Sequence, residues 1–169
     1  MEEAEMATQL QTMKEIRAET GPAVSVVGWR IAFLEEPSDN GDACLLYEGR
    51  VASGGVIPPH REDNHEAFYI VEGEFEFAVE GSSQRYAAGD FLRIAPGLLH
   101  SVTNVGPGWG RLLFLVSPGS QHQRFFTAVG TPLEPGEDPH PLTGPPDFPA
   151  IAAAGEANGI HFLPPPDGV

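Results

Sequence analysis

Short apolar runs separated by turn signals fill the middle of this chain, and they restrict its fold more than any other feature. The runs expected to form strands are residues 24–34 (one or two strands), 43–51, 68–71, 75–80, 84–86, 91–94, 101–104 and 112–116. Short strands with turns about every 8 to 12 residues are typical of an all-β sandwich or barrel. The Glu72-Gly73-Glu74 step between two of these runs predicts a hairpin. We therefore predict an all-β core.

Composition limits the chain to one domain and disfavours some partners. Its 169 residues are enough for one domain with a substantial core, and 41% hydrophobic content with ten Phe argues against disorder. The net charge of −15 disfavours nucleic acid and anionic membranes as partners, because their phosphates would be repelled. Cys44 is the single cysteine, so no disulfide can form within the chain. The acidic N-terminus and the lack of a membrane-length apolar run predict a cytoplasmic protein.

The two ends of the chain differ from this middle part. Residues 1–22 are predicted as an N-terminal helix and linker, because 1–19 are rich in helix formers and Gly21-Pro22 would end the helix. The apolar stripe of this helix would pack on the β core or on a second subunit, and it consists of Met6, Leu10, Met13 and Ile16.

Residues 119–169 are predicted as an arm of the same domain that is partly helical and partly proline-rich. In order, the arm should contain a short helix over 121–129, an irregular proline-rich stretch over 131–149, a helix over 148–158 capped by Asp147, and an apolar tail over 159–166. We expect the tail to dock on the rest of the molecule.

The strongest chemical signal lies in residues 54–73, where two histidines and three acidic residues fall within seven positions. Neutral imidazole and carboxylate are the ligands that suit Fe, Mn, Ni, Cu and Zn. Residues two apart on a strand share a face, so His60 and Glu62 should point to one side, whereas His65 should point away from it. We predict that this stretch and residues 89–104 form neighbouring strands. Together they would bring onto one face His60, Glu62, Glu66 and His100.

These two stretches resemble the two sequence motifs of the cupin superfamily. The matching positions are Gly54, His60, Glu66 and Gly73 in the first motif and Gly89, Gly97, His100 and Asn104 in the second. The usual proline is displaced by one place to Pro96, and Glu62 replaces the second histidine of the His-x-His pair. The whole layout is similar to small single-domain cupins related to quercetin 2,3-dioxygenases. The resemblance implies a double-stranded β-helix, a small jelly-roll barrel, over residues 23–118.

The resemblance also implies a divalent metal inside the barrel, one of Fe, Mn, Ni, Cu or Zn. His60, Glu66 and His100 then take three ligand positions, with Glu62 at the fourth. If Glu62 binds the metal, the harder oxygen ligands favour Mn or Fe and weaken the metal as a Lewis acid. If it does not, two histidines and one carboxylate leave open positions for O₂ and a substrate. A third alternative is a barrel that lost its metal together with the second histidine.

The remaining histidines are expected outside the ligand set. His65 is predicted at the surface or beside a ligand residue rather than on the metal. His122, His140 and His161 lie in polar or proline-rich segments and are predicted to be ordinary surface residues.

Three functions stay open from the sequence, all with a small-molecule ligand. The first is a quercetinase-like dioxygenase that uses O₂, in which Glu66 or Glu62 takes the hydroxyl proton of an aromatic or enolic substrate. The helix with Phe125 and Phe126 would cap the barrel mouth and limit water. The second is a non-redox isomerase, cyclase or dehydratase of natural-product tailoring, and the third is a binding protein without turnover. Glu62 in place of histidine favours the second and third. We also expect a homodimer.

Overall fold

A computed structural model describes residues 14–164 of the chain. The predicted N-terminal helix therefore lies outside the described residues, except for its last few positions. Residues 14–20 are not helical: 14–17 have no regular structure and 18–20 form a turn. Within the described part, no helix is long and apolar enough to cross a membrane. The homodimer stays a prediction.

Two antiparallel sheets form the body of the molecule, which confirms the predicted all-β core. The strands are β1 (Ala23–Val26), β2 (Trp29–Glu35), β3 (Leu45–Val51), β4 (Val56–Glu62), β5 (His65–Glu72), β6 (Glu74–Val79), β7 (Ser82–Ala87), β8 (Phe91–Ile94), β9 (His100–Asn104), β10 (Gly110–Ser117), β11 (Thr131–Pro132) and β12 (Ile160–Phe162). One sheet has the order β11-β1-β2-β3-β10-β5-β8, and the other has the order β12-β4-β9-β6-β7.

Phenylalanines on the facing sides of the two sheets fill the space between them. Phe68 in β5 and Phe114 in β10 come from one sheet, and Phe75 and Phe77 in β6 come from the other. All four are at most 2% exposed, and burial of each contributes roughly 1.5–3 kcal/mol. The Phe68 and Phe77 rings meet edge to face with centroids 5.0 Å apart, so the two sheets are in direct aromatic contact.

The hairpin predicted at Glu72-Gly73-Glu74 is wrong. Strands β5 and β6 flank this step but belong to different sheets, so Gly73 carries the chain from one sheet to the other. Its φ of +91° favours glycine, and a Cβ there would lie 3.0 Å from the Cα of Gly110. The hairpin lies one step later, between β6 and β7, where Glu80 and Gly81 form a two-residue loop with positive φ at both positions.

The helical arm is confirmed in outline, but the prediction of an irregular stretch from residue 131 is wrong at its start, because Thr131–Pro132 form β11 and pair with β1. Helix α1 (Pro37–Asn40) is a single turn within a predicted turn cluster, α2 (Ser120–Val129) is the predicted short helix, and α3 (Phe148–Glu156) follows the proline-rich stretch. The Asp147 side chain accepts a hydrogen bond from the Ala150 N–H at 3.1 Å, as expected of a helix cap. The apolar tail docks by adding β12 to the edge of β4.

Helix α2 obtains its N-terminal cap from a distant residue. The Asp42 carboxylate accepts hydrogen bonds from the backbone N–H groups of Gly119 and Ser120 at 3.1 and 2.8 Å. These groups have no partner within the helix, and a carboxylate there also interacts favourably with the helix dipole. The contact fixes the start of α2 against the loop before β3.

Candidate metal centre

The predicted ligands come from both sheets rather than from one face of neighbouring strands. Strands β4 and β9 do pair, with His60 directly opposite His100. Glu66 lies on β5 in the other sheet and reaches the site from across the interior. The ladder between β4 and β9 shifts register between Ile57 and His60, where Pro58 and Pro59 have no N–H to donate. The prediction that all four ligands lie on one face of neighbouring strands is therefore wrong for Glu66, which comes from the opposite sheet.

Strand alternation places the ligand side chains as the sequence indicated. His60 and Glu62 point into the interior, whereas the Arg61 side chain between them is exposed. On β5, Glu66 is buried and His65 is exposed on the opposite face, as predicted. The pleat of each strand therefore determines which of these polar residues can reach a buried ion.

Four predicted ligands converge on one buried point. His60, Glu62, Glu66 and His100 each offer a ligand atom, and these atoms all lie within 4.8 Å of one another. His100 Nε2 lies 2.8 Å from Glu66 Oε2 and 3.9 Å from Glu62 Oε1. His60 Nε2 lies 3.4 Å from Glu62 Oε2. All four residues are at most 5% exposed, so water does not compete freely for these atoms.

The hydrogen bonds of the two histidines leave Nε2 free to bind a metal. His60 Nδ1 lies 2.8 Å from the Pro58 carbonyl oxygen, and His100 Nδ1 lies 2.9 Å from that of Leu98. A carbonyl can only accept, so each Nδ1 carries a proton, and in the neutral ring Nε2 presents a lone pair. Histidine ligands are commonly oriented in this way.

The polar atoms at the centre lack hydrogen-bond partners. Both Glu62 oxygens, Glu66 Oε2 and His100 Nε2 are buried without one. Such atoms cost about 1–3 kcal/mol each, and a divalent cation would satisfy several of them at once. Two imidazoles and two carboxylates fit a divalent transition metal, so the buried cluster can bind one.

Burial and the neighbouring charges shift the pKa values of the site in different directions. Burial disfavours the charge of His100, but its contact with Glu66 outweighs burial and raises the pKa of His100. Burial, and then the nearby His100, lower the pKa of His60 to about 4. Burial and the adjacent Glu66 raise the pKa of Glu62 to about 7. Burial opposes ionisation of Glu66, but its contacts with His100 and His122 hold its pKa well below the usual range. At neutral pH, His60 is uncharged and Glu66 is ionised.

The prediction that His122 is a surface residue is wrong. It is 3% exposed on α2, and its Nε2 lies 3.6 Å from Glu62 Oε2 and 3.5 Å from Glu66 Oε1. Burial disfavours its charge, but the two carboxylates outweigh burial and raise the pKa of His122 to about 9. A signal was present in the sequence: His122 precedes Phe125 and Phe126 by three and four positions, which places it on the apolar face of the helix.

The other two histidines outside the motifs are at the surface, as predicted. His140 and His161 are exposed, and each lies near an exposed carboxylate, Glu137 at 3.2 Å and Glu156 at 2.7 Å. Neither belongs to the buried cluster.

An apolar cavity of about 100 Å³ opens onto the cluster. His60, Glu66, His100 and His122 contribute to its wall. Six phenylalanines supply much of the apolar lining: Phe68, Phe114, Phe125, Phe126, Phe148 and Phe162. Four of these six lie after residue 118, in the arm. The cavity wall is therefore formed by the sheets and the arm together.

Comparison with known protein families finds a cupin domain within the chain. Residues 47–116, from within β3 to within β10, match the family model of the cupin domain, and this span contains the four predicted ligands. No curated protein matches the chain. The predicted double-stranded β-helix fold is confirmed by this match and by the structural neighbours described next.

Several solved structures share this fold. An RmlC-like cupin from Shewanella frigidimarina NCIMB 400 is 21% identical, with a TM-score of 0.56 over 64% of this chain and 93% of that one. A predicted oxalate decarboxylase from Thermotoga maritima is 23% identical, with a TM-score of 0.53 over 62% and 98%. KdgF from Halomonas sp. is 21% identical, with a TM-score of 0.51 over 57% and 84%. At these identities the likeness concerns the fold alone, and the resemblance to quercetin dioxygenases stays a prediction.

Proposed function

We propose that this chain is a metal-dependent cupin enzyme, a dioxygenase acting on a small aromatic or enolic compound. The observation that supports this best is the position of a buried His/Glu cluster in the wall of an apolar, phenylalanine-lined cavity. Few polar groups converge on an otherwise apolar pocket, which is typical of small-molecule sites. A polar oxygen of the substrate would lie at the cluster, with its apolar body against the rings.

The size of the cavity favours a small substrate. A cavity of about 150 Å³ is known to admit benzene, and the cavity here is about 100 Å³. A single aromatic ring or a short enol therefore suits it better than a flavonol with three rings. A larger substrate would require the arm to move away from the sheets.

The chain's own residues have distinct roles in this reaction. When bound, a divalent metal would polarise the substrate oxygen and, if redox-active, allow reaction with O₂. His60 and His100 would hold it through Nε2, with Glu62 and Glu66 as oxygen ligands. A carboxylate oxygen of Glu66 or Glu62 would take the substrate hydroxyl proton. Both atoms of O₂ enter the product of a dioxygenase, so no further reductant is consumed.

The arm would exclude water from the reaction. Phe125 and Phe126 of α2 and Phe162 of β12 line the cavity beside the cluster, and the Phe162 ring lies 5.4 Å from the His60 ring. Exclusion of water strengthens electrostatic interactions and limits hydrolysis of reactive species.

The test is oxygen uptake by protein reconstituted separately with Fe(II), Mn(II), Ni(II), Co(II) or Cu(II). Catechols, short enols and flavonols would be offered, with product identified by mass spectrometry. We expect uptake with one or more redox-active metals and none with the His100→Ala variant. Metal-loaded protein that binds these compounds without consuming O₂ would contradict the dioxygenase.

A second candidate is a non-redox isomerase, cyclase or dehydratase, and the pair of buried carboxylates favours it. Glu62 and Glu66 lie in one site, and two carboxylates in different environments can act as acid and base in a proton shift. Zn(II) cannot change its oxidation state, so anaerobic turnover by the Zn(II)-loaded protein would identify this function. Ligand binding without product under every condition would instead indicate a binding protein.

A further inference from the structure

Helix α2 brings a third imidazole to the cluster, and we propose that His122 is a positioning residue that holds Glu62 and Glu66 in place for the metal. This inference rests on the proposed metal-dependent function and adds a residue that lies outside both sequence motifs. It assigns His122 a hydrogen-bond donor role, distinct from that of the metal ligands.

His122 faces both carboxylates from the side of the arm. Its Nε2 lies 3.6 Å from Glu62 Oε2 and 3.5 Å from Glu66 Oε1. On Glu66, the other oxygen, Oε2, is the one next to His100 Nε2, at 2.8 Å. His122 and His100 therefore approach different oxygens of the same carboxylate. One oxygen is left for the metal while the other faces the helix.

The hydrogen-bond environment of each ring distinguishes His122 from the two ligand histidines. His60 and His100 place Nδ1 against a backbone carbonyl, which frees Nε2 as a lone-pair ligand. His122 Nδ1 is buried and has no partner. A proton on that nitrogen would be a buried donor without an acceptor, which costs about 1–3 kcal/mol. In the neutral ring the proton is therefore better placed on Nε2, which faces the two carboxylates. The imidazolium also carries a proton on Nε2, so His122 is a donor in both protonation states.

The position of His122 agrees with this assignment. Ligand atoms of His60, Glu62, Glu66 and His100 lie mutually within 4.8 Å, and His122 is not a member of that group. Its two contacts are longer than the roughly 2.9 Å of a simple N–H···O bond. The ring therefore faces both carboxylates at the outer limit of hydrogen-bond distance, without a short bond to either. The side chain thus lies beside the ligand set and touches both of its carboxylates.

A donor that faces both carboxylates would stabilise this ligand set in particular. Glu62 stands where the motif carries histidine, so this chain buries two carboxylates in one site. Two buried like charges repel each other, and each loses its hydration. An N–H that bridges them offsets part of this cost and limits their rotation toward other rotamers. Partners that hydrogen-bond to metal ligands typically contribute 10- to 100-fold to metal affinity.

The experiment measures Co(II) affinity by visible absorption in the wild type and in three variants. His122→Leu removes the donor, His122→Gln keeps an N–H donor on a side chain of similar reach, and Thr127→Ala is a control at an exposed position of the same helix. We expect about a 10- to 100-fold loss of affinity in His122→Leu, recovery of most of it in His122→Gln, and no change in Thr127→Ala. Thermal unfolding of each metal-free variant checks that the fold persists.

Nitrogen hyperfine structure in the EPR spectrum of the Cu(II)-loaded protein provides a second readout. We expect two imidazole nitrogens in the wild type and in both His122 variants. Wild-type affinity in His122→Leu would overturn the inference, as would a third imidazole nitrogen that disappears in both variants, since His122 would then be a ligand. A wild type that binds no metal would overturn the proposed function as well, and this result is distinct from the other two.

Discussion

The sheets and the arm contribute to the same site in different ways. The sheets, within residues 47–116, provide the four predicted ligands from strands whose spacing matches a known pair of motifs. The arm, from residue 119 onward, provides His122 and half of the aromatic side chains in the cavity wall without any recognisable motif. The direction of the ligand side chains in the sheets is determined by the two-residue repeat of a strand. The contribution of the arm to the cavity wall depends on where helix α2 docks on the sheets.

This difference predicts two kinds of mutational effect. Substitutions among the sheet residues of the site should remove metal with little loss of stability. Substitutions in the apolar face of the arm should reduce stability and leave the ligand atoms in place. The following predictions run from the largest expected effect to the smallest.

His100→Ala should abolish metal binding. The variant loses one of the two imidazoles and leaves Glu66 without its 2.8 Å neighbour, so affinity should fall by more than about 100-fold. Elemental analysis after dialysis against trace metal would measure this. His65→Ala is the matched control, because His65 belongs to the same motif but is exposed. Retention of wild-type metal content in His100→Ala would show that the cluster is not the metal centre.

Phe126→Ala should destabilise the protein by about 3 kcal/mol and leave metal binding within a few-fold of wild type. The Phe126 ring packs edge to face against Tyr47 with centroids 5.0 Å apart, and its removal leaves a cavity between α2 and the sheet. For a chain of this size the melting temperature should fall by about 6–12 °C. Leu142→Ala, at a side chain that is 54% exposed, should change it little. Equal melting temperatures for Phe126→Ala and wild type would mean that the arm does not pack as described.

Glu62→His should restore the ligand set of the motif and change the preferred metal. Replacing a carboxylate by imidazole favours Cu, Ni and Zn over Mn, and we expect about a tenfold change in the Zn-to-Mn affinity ratio. Competition titrations with the two ions would measure it. Glu134→Gln, at an exposed carboxylate far from the site, is the control. An unchanged ratio would indicate that Glu62 does not contact the metal.

The cap of α2 should make a small, pH-dependent contribution to stability. Hydrogen bonds from Ser120, and then Gly119, lower the pKa of Asp42 below its ordinary value of 3.8. Because the folded pKa is depressed, the contribution is fully present above about pH 4 and is lost as pH falls through the folded value. Denaturant midpoints of wild type and Asp42→Asn should therefore differ at pH 7, and the difference should shrink as the pH falls below 3.8. A difference that persists at low pH would contradict this role of Asp42.

Much of the fold and four residues of the candidate site could be predicted because they depend on short-range pattern. The positions of most strands followed from apolar runs and turn residues, and the inward direction of His60, Glu62 and Glu66 followed from alternation. Helix α2 and the cap at Asp147 were likewise local. In each case the interactions that determine the local structure are between residues only a few positions apart in the sequence.

Other features depended on contacts between distant parts of the chain. A glycine step such as Gly73 can fold a strand back within one sheet or carry it to the other, and only the packing of β5 on β10 decides between them. The spacing of His122 from Phe125 and Phe126 places it on the apolar face of α2, but only the docking of α2 brings it against two buried carboxylates. The spacing of residues along a strand determines the face on which a side chain lies, but long-range packing determines what that face meets.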